Sequence, residues 1–244
     1  MIAVGATDKG RRRKDNQDNY YINVIHSEKQ ALCIICDGMG GARAGNVASD
    51  MALTIFAAEV KKRRKPGMST AYMKAIMRDA VTIANDLVYE KSNNNEIYRG
   101  MGSTIVAIMV DEPDSCIMNV GDSRAYIISR REIKQISCDH SVAEEMIKRG
   151  ELTPKAARLH PAKNYITRAV GTDPDIEAEF YEKKLEPGDI ILLCSDGLSN
   201  MLDDDEILFE VTLGGDITTC PERLIDIANE RGGPDNITAV LFAV

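Results

Sequence analysis

Ala31-Leu32-Cys33-Ile34-Ile35-Cys36-Asp37-Gly38 is the stretch on which the reading of this chain turns: a run of apolar and thiol side chains, then a carboxylate, then a residue that permits a sharp turn. The pattern recurs where residues 117–121 lead into Asp122-Ser123 and where residues 190–195 lead into Asp196-Gly197. A short apolar run bounded by turn residues reads as a strand, so each run is expected to deliver an aspartate to its end, at the rim of a sheet. Asp18 in Asn16-Gln17-Asp18 and Asp235 in Asp235-Asn236 bring the number of aspartates available to one place to five. Two carboxylates about 4 Å apart repel by roughly 4 kcal/mol at an effective dielectric near 20. Convergence of five therefore requires a cation, and oxygen donors with no His or thiolate placed among them select a hard divalent ion, Mg²⁺ or Mn²⁺, over Zn²⁺.

Outward from that stretch, residues 1–8 and 19–26 read as strands separated by the basic turn 9–14, and residues 30–36 as a third strand ending at Asp37, a hairpin-rich start. After the glycine-rich residues 38–45, Val47, Met51, Ile55 and Phe56 follow helical spacing to about Lys62. Ser69 is placed to cap a second long helix with Met73, Ile76, Met77, Ala80, Ile83, Ala84 and Leu87 on its apolar face. Strands are expected at 103–110, 115–120 and 125–129, the last two joined by the turn 121–124 in an antiparallel meander. Ser141 caps a short helix to Arg149, and residues 150–172, broken by Pro154, Pro161 and Gly171, read as an irregular surface flap. Strands at 176–183 and 189–194, helices at 203–211 and 221–230 and a buried strand at 237–244 complete the chain. Strands in clusters and helices in pairs argue for antiparallel sheets covered by helices, not a doubly wound parallel sheet.

At 244 residues one compact domain is the default. A net charge of −8 disfavours nucleic acid or an anionic membrane surface as the main partner. No apolar run approaches the roughly 20 residues needed to span a bilayer, and no apolar core follows the basic N-terminal segment, so a cytoplasmic protein is expected. The six cysteines are scattered and read as reduced and structural. Cys33 and Cys36 lie three apart in one extended run and so point to opposite faces, which is wrong for a zinc or redox pair. Six residues separate Cys36 from Arg43 where cysteine phosphatases have five, and an aspartate follows the cysteine directly, which argues against a thiol nucleophile.

The pieces then assemble into a family pattern. Thr7-Asp8-Lys9-Gly10 with Arg13, Asn16-Gln17-Asp18, Asp37-Gly38-Met39-Gly40-Gly41, Met101-Gly102-Ser103-Thr104, Gly121-Asp122-Ser123-Arg124, Asp139-His140-Ser141, Thr167-Arg168-Ala169-Val170-Gly171, Ser195-Asp196-Gly197 and Asp235-Asn236-Ile237-Thr238 occur in order across essentially the whole chain. Each is weak alone; together they resemble the metal-dependent protein serine/threonine phosphatases of type 2C, in their short bacterial form. The resemblance implies an α+β fold, a four-layer α-β-β-α sandwich of two antiparallel sheets flanked by helix pairs. It implies one catalytic domain over residues 1–244, with a flap subdomain at about 141–175. By position Asp37 bridges two ions, assisted by the backbone oxygen of Gly38, Asp196 and Asp235 complete the first ion's shell, Asp18 lies close by, and Asp122 with Asp196 holds a third ion.

The implied activity is hydrolysis of phosphoserine and phosphothreonine in proteins by a water held between two Mn²⁺ or Mg²⁺ ions, reversing the action of a Ser/Thr kinase that is itself among the expected phosphoprotein substrates. Asp37 and Arg13 are the catalytic candidates. Arg13 is also the substrate-binding one, because a guanidinium grips two phosphoryl oxygens in a way a lysine does not. No nucleic acid, no membrane and a monomer are expected. Gln17 stands where many relatives have glutamate, which weakens the second metal site. Met39 stands where eukaryotic members carry a histidine, leaving metal-bound water as an adequate donor to the leaving alkoxide. The alternative is a catalytically weak pseudophosphatase acting as a regulatory binding module, which Gln17 alone favours. A third reading is a hydrolase of small phosphate esters.

Other features have plainer readings. His140 beside Ser141 suggests a hydrolase pair, but adjacent side chains diverge and Ser141 serves better as a cap. His26 and His160 read as loop residues, residues 61–65 as cations at a helix C-terminus, and residues 38–45 lack the Gly-Lys-Ser/Thr of a nucleotide loop.

Overall fold

A computed structural model describes residues 1–41, 44–129, 132–158 and 160–244. Its strands are β1 (Ile2–Asp8), β2 (Asp18–Ile25), β3 (Gln30–Met39), β4 (Gly102–Ser103), β5 (Ile105–Asp111), β6 (Asp114–Val120), β7 (Arg124–Ser129), β8 (Glu132–Gln135), β9 (Glu179–Lys184), β10 (Ile190–Cys194) and β11 (Ile237–Ala243). Its helices are α1 (Ala44–Arg63), α2 (Thr70–Asn94), α3 (Val142–Lys148), α4 (Pro154–Ala157), α5 (Asp196–Ser199), α6 (Asp204–Thr212) and α7 (Cys220–Glu230).

Two antiparallel sheets result. One runs β1-β11-β10-β7-β8, the other β2-β3-β5-β6-β9 with β4 paired to β3. The expected four-layer sandwich is what these residues build. Along β3, Leu32, Ile34 and Cys36 face the layer shared with α1 and α2, while Ala31, Cys33 and Ile35 face the layer between the sheets, with Val240 and Phe242 of β11. A third layer joins Ile237, Ala239 and Leu241 of β11 to Leu198, Ile207, Leu224 and Ala228 under α5, α6 and α7. Burial on both faces explains why the quoted run is continuously apolar instead of alternating. Cys33 and Cys36 do fall on opposite faces, and all six thiols are free.

Several local expectations are corrected. The start of the chain is not a run of hairpins: β2 pairs with β3, but β1 pairs with β11, so the basic segment after β1 crosses between sheets. Nor is the middle a meander, because β5 and β6 form a hairpin while β7 pairs with β10 and β8 in the other sheet. β3 does not end at Asp37, since Gly38 and Met39 continue it by pairing with Ser103 and Gly102 of β4. β9 starts at Glu179, three residues later than expected. The packed face of α1 is made of Ala48, Ala52, Phe56 and Val60, with Val47, Met51 and Ile55 at its margins, because small residues let the helix lie close to β3. On α2 the Ser69 cap forms, with its side chain accepting the Tyr72 N–H, but Leu87 is exposed and Val81 and Val88 take the core positions.

Candidate metal centre

The five aspartates meet at one end of the sandwich because both sheets present chain ends there. Asp18 and Asp37 are neighbours across the β2–β3 ladder. Asp196 is the first residue of α5, with one residue between it and β10, and one residue likewise separates Asp235 from β11, the strand that pairs with β10. Asp122 occupies the turn by which β6 of one sheet leads to β7 of the other. A cavity of about 500 Å³ is lined by Asp37, Gly38, Asp122, Asp196 and Asp235, with Arg13 at its edge and Asn164 and Ile166 contributed by the segment after α4. No histidine lines it among the described residues.

Close backbone approach fixes the glycines of this floor. A Cβ on Gly38 would lie 2.2 Å from the Gly45 carbonyl oxygen, and one on Gly197 only 1.9 Å from that of Asn236, so neither position accepts a side chain without moving backbone.

Asp18 lies beneath the cavity. Its Oδ2 accepts from Ser195 Oγ and from Thr238 Oγ1, each at 2.7 Å, while Oδ1 is buried with no hydrogen-bond partner. Burial pushes its carboxyl up to about 6, against the opposing pull of the Thr238 and Ser195 hydroxyls. Burial also raises Asp37 well above the ordinary carboxylate range, reinforced by the charges of Asp18 and Asp196, and raises Asp196, reinforced by Asp122 and Asp235. Asp122 is pushed up to about 7, mainly by burial, then by Asp139, with Arg124 opposing.

Both costs, lost hydration and like-charge repulsion, are ones that the charge of a bound dication offsets. Among the described residues no three acidic, thiol or imidazole side chains close into a ready-made cage. The donors ring a cavity instead, as mutually repelling carboxylates do. An orphaned buried carboxylate oxygen beside four further carboxylates, all of them hard oxygen donors, fits a divalent oxygen-seeking ion.

Arg13 reaches the cavity's edge through an ion pair, its guanidinium 2.8 Å from Asp235 Oδ2, with half its side chain in solvent. The Gln17 side-chain amide donates to the Gly41 carbonyl at 2.8 Å, a bond that a carboxylate could not donate. Arg43 and Ala42 lie outside the described residues, so the Cys36–Arg43 comparison has no structural counterpart here; burial pushes the Cys36 thiol up, away from thiolate character.

Supporting residues escaped the sequence reading as individuals, although most lie inside quoted motifs. Thr104 accepts the Asp37 N–H at 3.0 Å and bonds Ser123 Oγ at 2.8 Å. Asn236 accepts the Gln17 N–H and donates to the carbonyls of Lys9 and Asp15, tying the N-terminal crossing to the Asp235 loop. Ser195 and Thr238 orient Asp18. Small hydroxyls and amides flanking each motif aspartate were the available signal. His140 is buried and away from the cavity; burial lowers its pKa, with Glu179 opposing.

The family model for protein phosphatase 2C matches residues 7–233. The chain belongs to the protein phosphatase 2C family. It is 36% identical over 240 residues to protein phosphatase PhpP of Streptococcus pneumoniae, covering 98% of this chain and 95% of that protein. The serine/threonine phosphatase of S. agalactiae superposes with a TM-score of 0.91 at 34% identity, covering 100% of this chain and 99% of that one. The catalytic domain of the serine/threonine protein phosphatase PstP, solved in complex with two manganese ions, gives 0.84 at 29% identity, covering 98% of this chain and 96% of that one. The chain is thus a phosphatase.

Proposed function

We propose that this phosphatase hydrolyses phosphoserine and phosphothreonine in proteins with Mn²⁺ or Mg²⁺ held by Asp37, the Gly38 carbonyl, Asp196, Asp235 and Asp18, and with a third ion at Asp122 and Asp196. The observation that supports it best is the acidic cavity over the unpartnered Asp18 Oδ1. The two manganese ions of the PstP structure point the same way. Divalent ions bound there supply charge neutralisation and a solvent nucleophile at neutral pH.

The chain's own part is positional. Asp37, a cavity-lining residue, stands beside Asp18 across the β2–β3 ladder, so the two carboxylates are held as neighbours. Arg13, held at the rim by Asp235, presents a guanidinium fork to two phosphoryl oxygens of an incoming phosphate. Asn164 and Ile166, from the flap at 141–175, wall the cavity on the substrate side, and we assign the choice of peptide to that flap. A Ser/Thr kinase is the natural counterpart. No helix is long and apolar enough to cross a membrane among the described residues.

The test is phosphate release from a phosphothreonine peptide with Mn²⁺, set against chelator and against Asp37→Asn. Turnover that vanishes with either supports the reading. Release unchanged by Asp37→Asn, or no release together with no manganese uptake in calorimetry, overturns it, and the second result is what a binding module lacking turnover gives.

A further inference from the structure

The Asp139-His140-Ser141 motif has no role in the chemistry above, yet its histidine is 5% exposed and bonds both backbone groups of one residue, Gly121. His140 Nδ1 accepts the Gly121 N–H at 3.1 Å, and the His140 backbone N–H donates to the Gly121 carbonyl at 2.9 Å. Asn119 Nδ2 donates to the same carbonyl at 3.0 Å. Gly121 is the residue before Asp122 and adopts a φ of +107°, and a Cβ there would meet the Thr104 side chain at 2.6 Å. With Nδ1 accepting, the ring proton sits on Nε2, which faces Glu179 Oε1 at 3.4 Å, an electrostatic contact more than a well-formed hydrogen bond.

The far side of the turn is anchored too. Ser123 Oγ bonds Thr104 Oγ1, which accepts the Asp37 N–H, so one anchor ties the Asp122 turn to Asp37. His140 is the other anchor, and it belongs to the root of the flap: its carbonyl accepts the Thr167 N–H at 2.8 Å, and Ser141 bridges to Ile166, a residue of the cavity wall.

We propose that His140 is the positioning residue for Asp122: by clamping Gly121 through Nδ1 and its own backbone N–H, it aims the Asp122 carboxylate at the ion site shared with Asp196 and locks that site to the base of the flap. The inference rests on the reading of Asp122 as a metal ligand. A general acid–base role does not fit, since both ring nitrogens face protein groups and the ring does not line the cavity. A packing role alone does not need the polar ring, whose Nδ1 lone pair is spent on the N–H of Gly121, the residue before Asp122.

The test counts Mn²⁺ ions bound and their affinities by calorimetry and electron paramagnetic resonance, on wild type, Asp122→Asn, His140→Ala, His140→Asn and His140→Gln, with circular dichroism as the folding control. An asparagine Oδ1 sits near the Nδ1 position and keeps the Gly121 bond; a glutamine oxygen mimics Nε2 and does not. The expected result is that Asp122→Asn removes one class of ion, that His140→Ala and His140→Gln weaken the same class about 10- to 100-fold, and that His140→Asn restores it. If Asp122→Asn removes a class that His140→Gln binds as tightly as His140→Asn does, the positioning role is wrong and the ligand role stands. If Asp122→Asn leaves every class intact, the ligand role fails and this inference falls with it. The Asn–Gln pair keeps the comparison decisive even if His140→Ala does not fold.

Discussion

Arg13 is held at the cavity's edge by an ion pair to Asp235 and leaves half its side chain in solvent. That pair contributes little stability where it is so exposed, so substitution there reads out substrate binding, not folding. Arg13→Lys keeps the charge and loses the planar fork; the expected outcome is a rise of about tenfold in KM for a phosphopeptide, roughly 1.4 kcal/mol. Thermal stability should stay within a degree or two, and steady-state kinetics with a melting curve check both. That the five aspartates and Arg13 are candidates was readable in the sequence because each stands in a short motif. Ser195 and Thr238 were not legible as partners of Asp18, because those bonds join residues 177 and 220 positions apart.

Among the elements, α6 shows how far local rules reach. Asp203 caps it in a full capping box, accepting the Glu206 N–H while the Glu206 side chain accepts the Asp203 N–H. Asp203→Ala removes one half of that box and is expected to cost about 1 kcal/mol, about 2–4 °C in Tm for a chain of this size. The cavity is on another element, so phosphatase activity at 25 °C should not change; a loss of activity without a loss of Tm would contradict this. Caps, helix spans and the β2–β3 and β5–β6 hairpins follow from neighbours in sequence. The two crossings do not. The turn after Gly121 looks like a hairpin turn, yet β7 pairs with β10 and β8 in the other sheet. That misread turn is the one that carries Asp122 to the junction of the two sheets.

For the whole molecule, the acidic cluster sets how stability depends on pH. Asp18 and Asp122 are raised from an ordinary 3.8 to about 6 and about 7. A carboxyl raised on folding favours the folded state while protonated, so this contribution is complete below about pH 4 and disappears as pH rises through 6 and 7. For Asp18 it amounts to roughly 3 kcal/mol. His140, whose pKa is lowered, acts in the opposite sense near its ordinary value of 6.5. With chelator present, the Tm difference between wild type and Asp18→Asn isolates the carboxyl: the variant should gain on wild type from pH 5 to pH 7.5. Added Mn²⁺ should reverse the order at pH 7.5, since the ion needs the ionised carboxylate. A difference that stays flat across this window in chelator would show that Asp18 is not strained in that way. Hydropathy and helix periodicity, short-range properties of the chain, were enough to determine antiparallel sheets covered by helix pairs and aspartates at strand ends, while the four-layer sandwich came from the family resemblance that the order of the motifs carries. Which strand sits beside which, and so which hydroxyl supports which carboxylate, was decided only in three dimensions, because strand partners are chosen by burying both faces of two sheets at once and no local stretch contains that competition.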